Sequence, residues 1–160
     1  MKLLLTTLTI ATLAVTPFAY TADPAGNISQ AIKVGSDYGI THFTSIEFEG
    51  SGRMEIEGWI DQDWHVELET GAGSPDLVHE EREKRLNGTW GMTADDLLLY
   101  TKAAAEAGIV DIEEVKINRR DRIEVEGDDA RGRDLEVYFQ RGNQEPVKVS
   151  RDDRFGLGLP

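Results

Sequence analysis

Between residues 43 and 70 apolar and polar side chains alternate at a period of two, and the alternation restarts between 112 and 140. That period places successive side chains on opposite faces of a pleated strand, so it predicts strands at roughly 43–49, 53–59 and 64–70, then 112–118, 122–127 and 135–140, with a short last strand at 146–150. Gly50-Ser51-Gly52 and Asn118-Arg119-Arg120-Asp121 are turn chemistry between the first two strands of each set. A 3.6-residue period precedes each set. Ile28, Ala31, Ile32, Gly35 and Tyr38 share one helical face after Asn27 as N-cap, with Gly35 as an interruption. Leu97, Tyr100, Thr101, Ala104 and Ala107 do the same after Thr93, with Asp95 and Asp96 at the positive helix end.

The two sets are related. Met54-Glu55-Ile56-Glu57-Gly58 returns as Ile123-Glu124-Val125-Glu126-Gly127, 69 positions later, and residues 39–58 lie without a gap on 108–127. At an offset of 71, Trp64, Val66, Leu68, Gly71, Pro75 and Val78 then match Leu135, Val137, Phe139, Gly142, Pro146 and Val149. The preserved positions are core-facing or turn-forming, as a duplicated supersecondary unit requires. The expected fold is therefore α+β, two tandem repeats, each one helix packed on an antiparallel sheet of three or four strands. The first repeat spans 23–80, with a short strand at Leu77–His79. A linker or helical turn follows at 81–92, then the second repeat at 93–152 and a tail at 153–160.

The segment MTADDLLLYTKAAAEAGIVDIEEVKINRRDRIEVEGDDARGRDLEVYFQRGNQEPVKVS, residues 92–150, resembles the PepSY family, and residues 27–80 resemble it more weakly. The turn Arg141-Gly142-Asn143 departs from the acidic dipeptide common in that family. The resemblance implies a non-catalytic exported module of the kind found in peptidase propeptides, regulating or inhibiting a peptidase outside the cytoplasm. A cystatin-like helix on a sheet would share much of the pattern.

Composition narrows the partner. The 160 residues carry a formal net charge of −13, which repels phosphate backbones and anionic lipid, so neither nucleic acid nor a membrane surface is expected as a partner. Residues 1–22 have Lys2, an apolar run from Leu3 to Val15 and small residues after it, the layout of a signal peptide, which predicts a periplasmic or secreted chain. With 0 Cys there is no disulfide and no thiol chemistry. His42, His65 and His79 form no zinc signature, and no nucleophile elbow or P-loop is present, so neither an enzyme nor a cofactor nor a metal site is expected. Asp61, Asp63, Asp128, Asp129, Asp152 and Asp153 read as polar turns.

The alternation itself supplies the candidate site. With Ile46, Phe48, Met54, Ile56, Trp64, Val66 and Leu68 turned to the helix, Glu47, Glu49, Arg53, Glu55, Glu57, Trp59, His65, Glu67 and Glu69 share the other face. An acidic face anchored by Trp59 is suited to a basic partner: a protein, in the family's terms a peptidase, a peptide, or the second repeat itself. The alternative use is cation binding by an envelope accessory protein. The matching face of the second repeat (Glu114, Lys116, Asn118, Arg122, Glu124, Glu126, Glu136, Tyr138, Gln140, Lys148) is mixed in sign. Trp64 and Trp90 read as core, Trp90 as a staple on the second helix.

Overall fold

The computed structural model describes residues 24–151, Asn87 apart. The expected signal peptide and the tail with Asp152 and Asp153 lie outside the described residues. In chain order the elements are α1 (Pro24–Tyr38), β1 (His42–Phe48), β2 (Met54–Trp59), β3 (Trp64–Thr70), β4 (Leu77–Lys84), α2 (Ala94–Glu106), β5 (Ile109–Ile117), β6 (Arg122–Asp129), β7 (Asp134–Gln140) and β8 (Lys148–Arg151).

The expectation of two units, each with its own sheet, is overturned. All eight strands form one antiparallel sheet in the order β4-β3-β2-β1-β5-β6-β7-β8. The cause is the pairing of β1 with β5, where Ser45, Ile46 and Glu47 stand opposite Lys116, Val115 and Glu114. Two strands that would each be an exposed edge satisfy one another's backbone groups instead, which removes two edges from solvent. Both helices cover the same face, and a single core runs beneath them: Ile28 and Ala31 of α1 and Leu97, Tyr100 and Ala104 of α2 join Ile46, Ile56, Leu68, Val115, Val125 and Phe139 of the sheet.

Local chemistry explains the elements. Thr93 accepts the Asp96 N–H and Asp96 accepts the Thr93 N–H, a capping box that starts α2. Helix α1 begins at Pro24, so Asn27 lies inside it rather than capping it, and Gly35 does not interrupt it. A Cβ at Gly35 would stand 2.5 Å from the Phe43 ring, so the glycine is the seat of a core aromatic.

The duplicated Glu-x-Glu-Gly has a comparable reason. Opposite Gly58 the register of β1 slips between Phe43 and Ser45, and opposite Gly127 that of β5 slips between Ile112 and Glu114. At each bulge the neighbouring backbone crosses where a Cβ would be: 2.5 Å from the His42 carbonyl at Gly58, and inside the Asp111 carbonyl with Ile112 Cα at 2.9 Å at Gly127. Glycine is the residue that leaves that space empty.

Two further expectations are corrected. The strand begun at Leu77 continues to Lys84 instead of yielding to a linker, because it pairs with β3 from Thr70 to Trp64. Trp64 is 38% exposed rather than core, since its neighbour across the ladder is Lys84 on the edge strand.

Candidate functional site: a row of carboxylates across the open sheet face

On the face away from the helices the registers align the acidic residues into rows. Glu69 of β3 stands opposite Glu55 of β2, Glu55 opposite Glu47 of β1, and Glu47 opposite Glu114 of β5. Glu114 then faces Glu126 of β6, and Glu126 faces Glu136 of β7. Six carboxylates thus sit side by side on six adjacent strands, ended by His79 on β4 and Ser150 on β8. Neighbouring strands are about 4.8 Å apart, a spacing at which like charges directly opposite one another destabilise a sheet. A second row runs beside the first: Glu81, Glu67, Glu57, Ser45, Lys116, Glu124, Tyr138 and Lys148.

The duplicated motif enters the long row with opposite members. Glu55 is its first glutamate in the first half, and Glu126 its second in the second half. Antiparallel pairing of β1 with β5 brings those two, not their sequence equivalents, into line.

Neutralisation along the row is uneven. Arg53 lies 3.6 Å from Glu49 and 3.8 Å from Glu69, so Glu49 sits in the β1–β2 turn, outside the row, on a shared arginine. Lys116 bonds Glu114 and lies 3.7 Å from Glu124, and the Tyr138 hydroxyl donates to Glu136 at 2.9 Å and to Glu124 at 3.2 Å. Burial would lower the Lys116 ammonium pKa, but Glu114 and Glu124 more than offset this and hold it above its ordinary value. Glu47 and Glu55 have no ion pair among the described residues. Partial burial, then the charges of Glu67 and Glu47, push the Glu55 carboxyl up. Burial followed by Glu67 does the same to Glu57, and burial also raises Glu126. One carboxylate oxygen each from Glu55, Glu67 and Glu69 lie within 4.8 Å of one another, a geometry open to a cation.

Trp59 and His65, expected on this open surface, are instead covered at 0% and 3% exposure. Residues on both sides of Asn87 are tied back to this end of the sheet, and two of them, Arg85 and Trp90, share a cavity wall with His65. Arg85 N–H donates to the Asp63 carbonyl, the Thr89 hydroxyl to the Asp61 carbonyl, and Met92 forms a backbone bridge with Phe43. Trp59 and His65 meet edge to face at 5.2 Å, and His65 Nε2 shares a 3.0 Å hydrogen bond with the Thr44 hydroxyl. Burial, then the charge of Arg85, lowers the imidazole pKa to about 4 although Glu57 lies 3.8 Å away, so His65 is neutral at pH 7. Trp90 is partly buried and packs against the core, as expected; it also lines a cavity with His65 and Thr44, and the Arg119 guanidinium lies 5.7 Å from its ring.

Thr44, His65 and Glu57 do not make a catalytic relay. Hydroxyl and carboxylate both approach Nε2, whereas a relay holds the carboxylate on the opposite ring nitrogen. The other acidic pairs are turn chemistry: Asp61 accepts the N–H groups of Asp63 and Trp64. Asp129 accepts those of Arg131 and Arg133, and the Arg133 side-chain bond is the main reason its carboxyl is held at about 2. The carboxylates that sequence reasoning left out of the site are Glu114, Glu126 and Glu136. Their alternation placed them on this face, but their membership of one row depends on the β1–β5 register.

Fold and site together define an α+β protein built on one sheet, one face under two helices and the other lined with carboxylates. No family model and no curated protein matches the chain. Among solved structures, a protein of Clostridium difficile 630 described as a "putative lipoprotein" is similar at a TM-score of 0.48 and 14% identity, over 78% of this chain and 91% of that one. Among the described residues no helix is long and apolar enough to cross a membrane.

Proposed function

We propose that the protein is a non-catalytic, exported binding module whose carboxylate-lined sheet face takes a basic partner, a cationic segment or surface of a protein. The observation that carries this reading is the unbroken row of six glutamates. A sheet does not need such a row to fold, and in the first half its repulsion is left largely uncompensated by lysines and arginines among the described residues. A partner bringing lysines and arginines would supply the missing countercharge and orient itself along the row. Export rests on the layout of residues 1–22, and regulation of an extracytoplasmic peptidase rests on the PepSY resemblance. A second reading, cation binding, is favoured by the approach of Glu55, Glu67 and Glu69.

The test is calorimetric titration with a peptide of mixed lysine and arginine. Two double variants of equal net charge are compared, Glu55→Lys with Glu126→Lys in the row, and Asp95→Lys with Glu106→Lys on α2. Binding lost in the first and kept in the second supports the reading; equal weakening in both sinks it. A calcium-dependent rise in melting temperature that vanishes in Glu67→Gln, without peptide binding, transfers the face to cations.

A further inference from the structure

Beside the long row, where the two halves of the sheet meet, lies a cavity of about 280 Å³. Its wall includes Thr44 and His65, 5% and 3% exposed, whose polar atoms are spent on each other. Trp90 adds an indole to the lining. Arg85, Lys116, Glu57 and Glu114 complete the polar part. The two cations are engaged: Lys116 by Glu114 and Glu124, Arg85 by Glu83 through its Nε at 2.6 Å. Glu114 is satisfied by Lys116. Glu57 is the exception. Among the described residues no lysine or arginine nitrogen lies within bridging distance of it, and the group at 3.8 Å is His65, which is neutral. A half-buried carboxylate that makes no ion pair, though the charge of Arg85 in the same wall acts on it, therefore borders a cavity of side-chain size with an aromatic wall.

We propose that this cavity is a recess for one basic side chain of the partner, an arginine by preference, with its guanidinium against the Trp90 indole and its N–H groups donated to Glu57. A planar guanidinium can stack on an aromatic ring and bond a carboxylate at once, which a lysine ammonium does less well. Recess and row then divide the work. The row attracts and aligns a basic segment along its length, while the recess fixes its register by admitting one side chain. This inference rests on the proposed binding of a basic partner and adds the position and chemistry of its anchoring residue.

The probe is N-acetyl-L-arginine methylamide, titrated into the full chain with the tryptophan indole N–H resonances followed by NMR. The Trp90 resonance, assigned with Trp90→Phe, should shift saturably while that of exposed Trp64 stays in place. Glu57→Gln, which keeps the side chain's size, should weaken binding by about tenfold or more, the effect of one charge-assisted hydrogen bond. Glu126→Gln, in the row but outside the cavity, should leave it nearly unchanged. An unmoved Trp90 resonance, or equal weakening in the two variants, overturns the recess. If the mixed lysine and arginine peptide still binds in that event, the row keeps its role; if the peptide fails as well, both readings fall.

Discussion

The two halves of the open face carry the same elements and resolve their charges in opposite ways. In the second half the second row runs Lys116, Glu124, Tyr138, Lys148, so its one carboxylate, Glu124, has a cation on one side and a hydroxyl on the other, and the Tyr138 ring holds Lys148 and Arg122 at 4.7 Å each. In the first half the same row runs Glu57, Glu67, Glu81, with carboxylate opposite carboxylate. In this row the second half neutralises itself and the first does not, although each half also gives three glutamates to the row of six, so the extra acidity of the first half is not required by the fold. It is surplus charge on a surface, which is why that half is the one assigned to a partner.

The comparison breaks hardest at the glycines. A Cβ at Gly127 would fall inside a backbone carbonyl, while at Gly58 it meets the His42 carbonyl and the Ile40 methyl, both at 2.5 Å. Backbone obstructs both positions, but it comes closer at Gly127, where all three nearest atoms are backbone, whereas one of the two nearest at Gly58 is a side-chain methyl that can shift. Gly127→Ala should therefore destabilise by roughly 3 kcal/mol, at the upper end of overpacking costs, and Gly58→Ala by less. Urea unfolding of the two variants checks the order, and an equal or reversed order would mean that the two bulges are not equivalent devices.

How far this could be read in advance follows from the same residues. Alternation at 43–70 and 112–140 located six strands because each buries one face, and the twin motif located both bulge glycines. The edge strand β4 was only begun correctly at Leu77, since every residue from Leu77 to Lys84 is exposed and no alternation survives. The joining of the halves was not legible at all: Phe43-Thr44-Ser45-Ile46 has the same pattern whether it forms an edge or a centre. Nor was the burial of Trp59, which packs on His65 rather than facing solvent. The acidic face could be listed residue by residue, but its order into a row of six needed the register that bulges and β1–β5 pairing impose.

Acid should separate the buried histidine from the carboxylates. The His65 pKa falls from an ordinary 6.5 to about 4 in the folded chain, so the folded state binds fewer protons and stability is lost as pH drops from 6.5 towards 4. Glu55, Glu57 and Glu126 are raised above 4.5, so the folded state binds more protons and stability is gained as pH falls through their folded values. His65→Gln, which retains a donor for Thr44, should remove the first trend and leave the second. On acidification from pH 6.5 to 5 the parent should lose stability relative to the variant, read as a melting temperature that falls further. Parallel curves for the two proteins would refute the assignment of the acid-side loss to His65.

The smallest effect is the most direct measure of the difference between the halves. Glu55 and Glu124 are equivalent in the duplicated motif, yet Glu55 lies between Glu47 and Glu69, and Glu124 between Lys116 and Tyr138. Removing the charge from Glu55 relieves repulsion, while removing it from Glu124 discards an ion pair at 3.7 Å and weakens a hydrogen bond at 3.2 Å. Glu55→Gln should stabilise and Glu124→Gln destabilise, each by about 0.2–1 kcal/mol, the range for cross-strand pairs. Added sodium chloride should shrink both changes, because solvent ions still reach carboxylates that are only partly buried. The same sign for both substitutions at low salt would mean that the duplicated glutamates are energetically alike, and the case for surplus charge in the first half would lose its support.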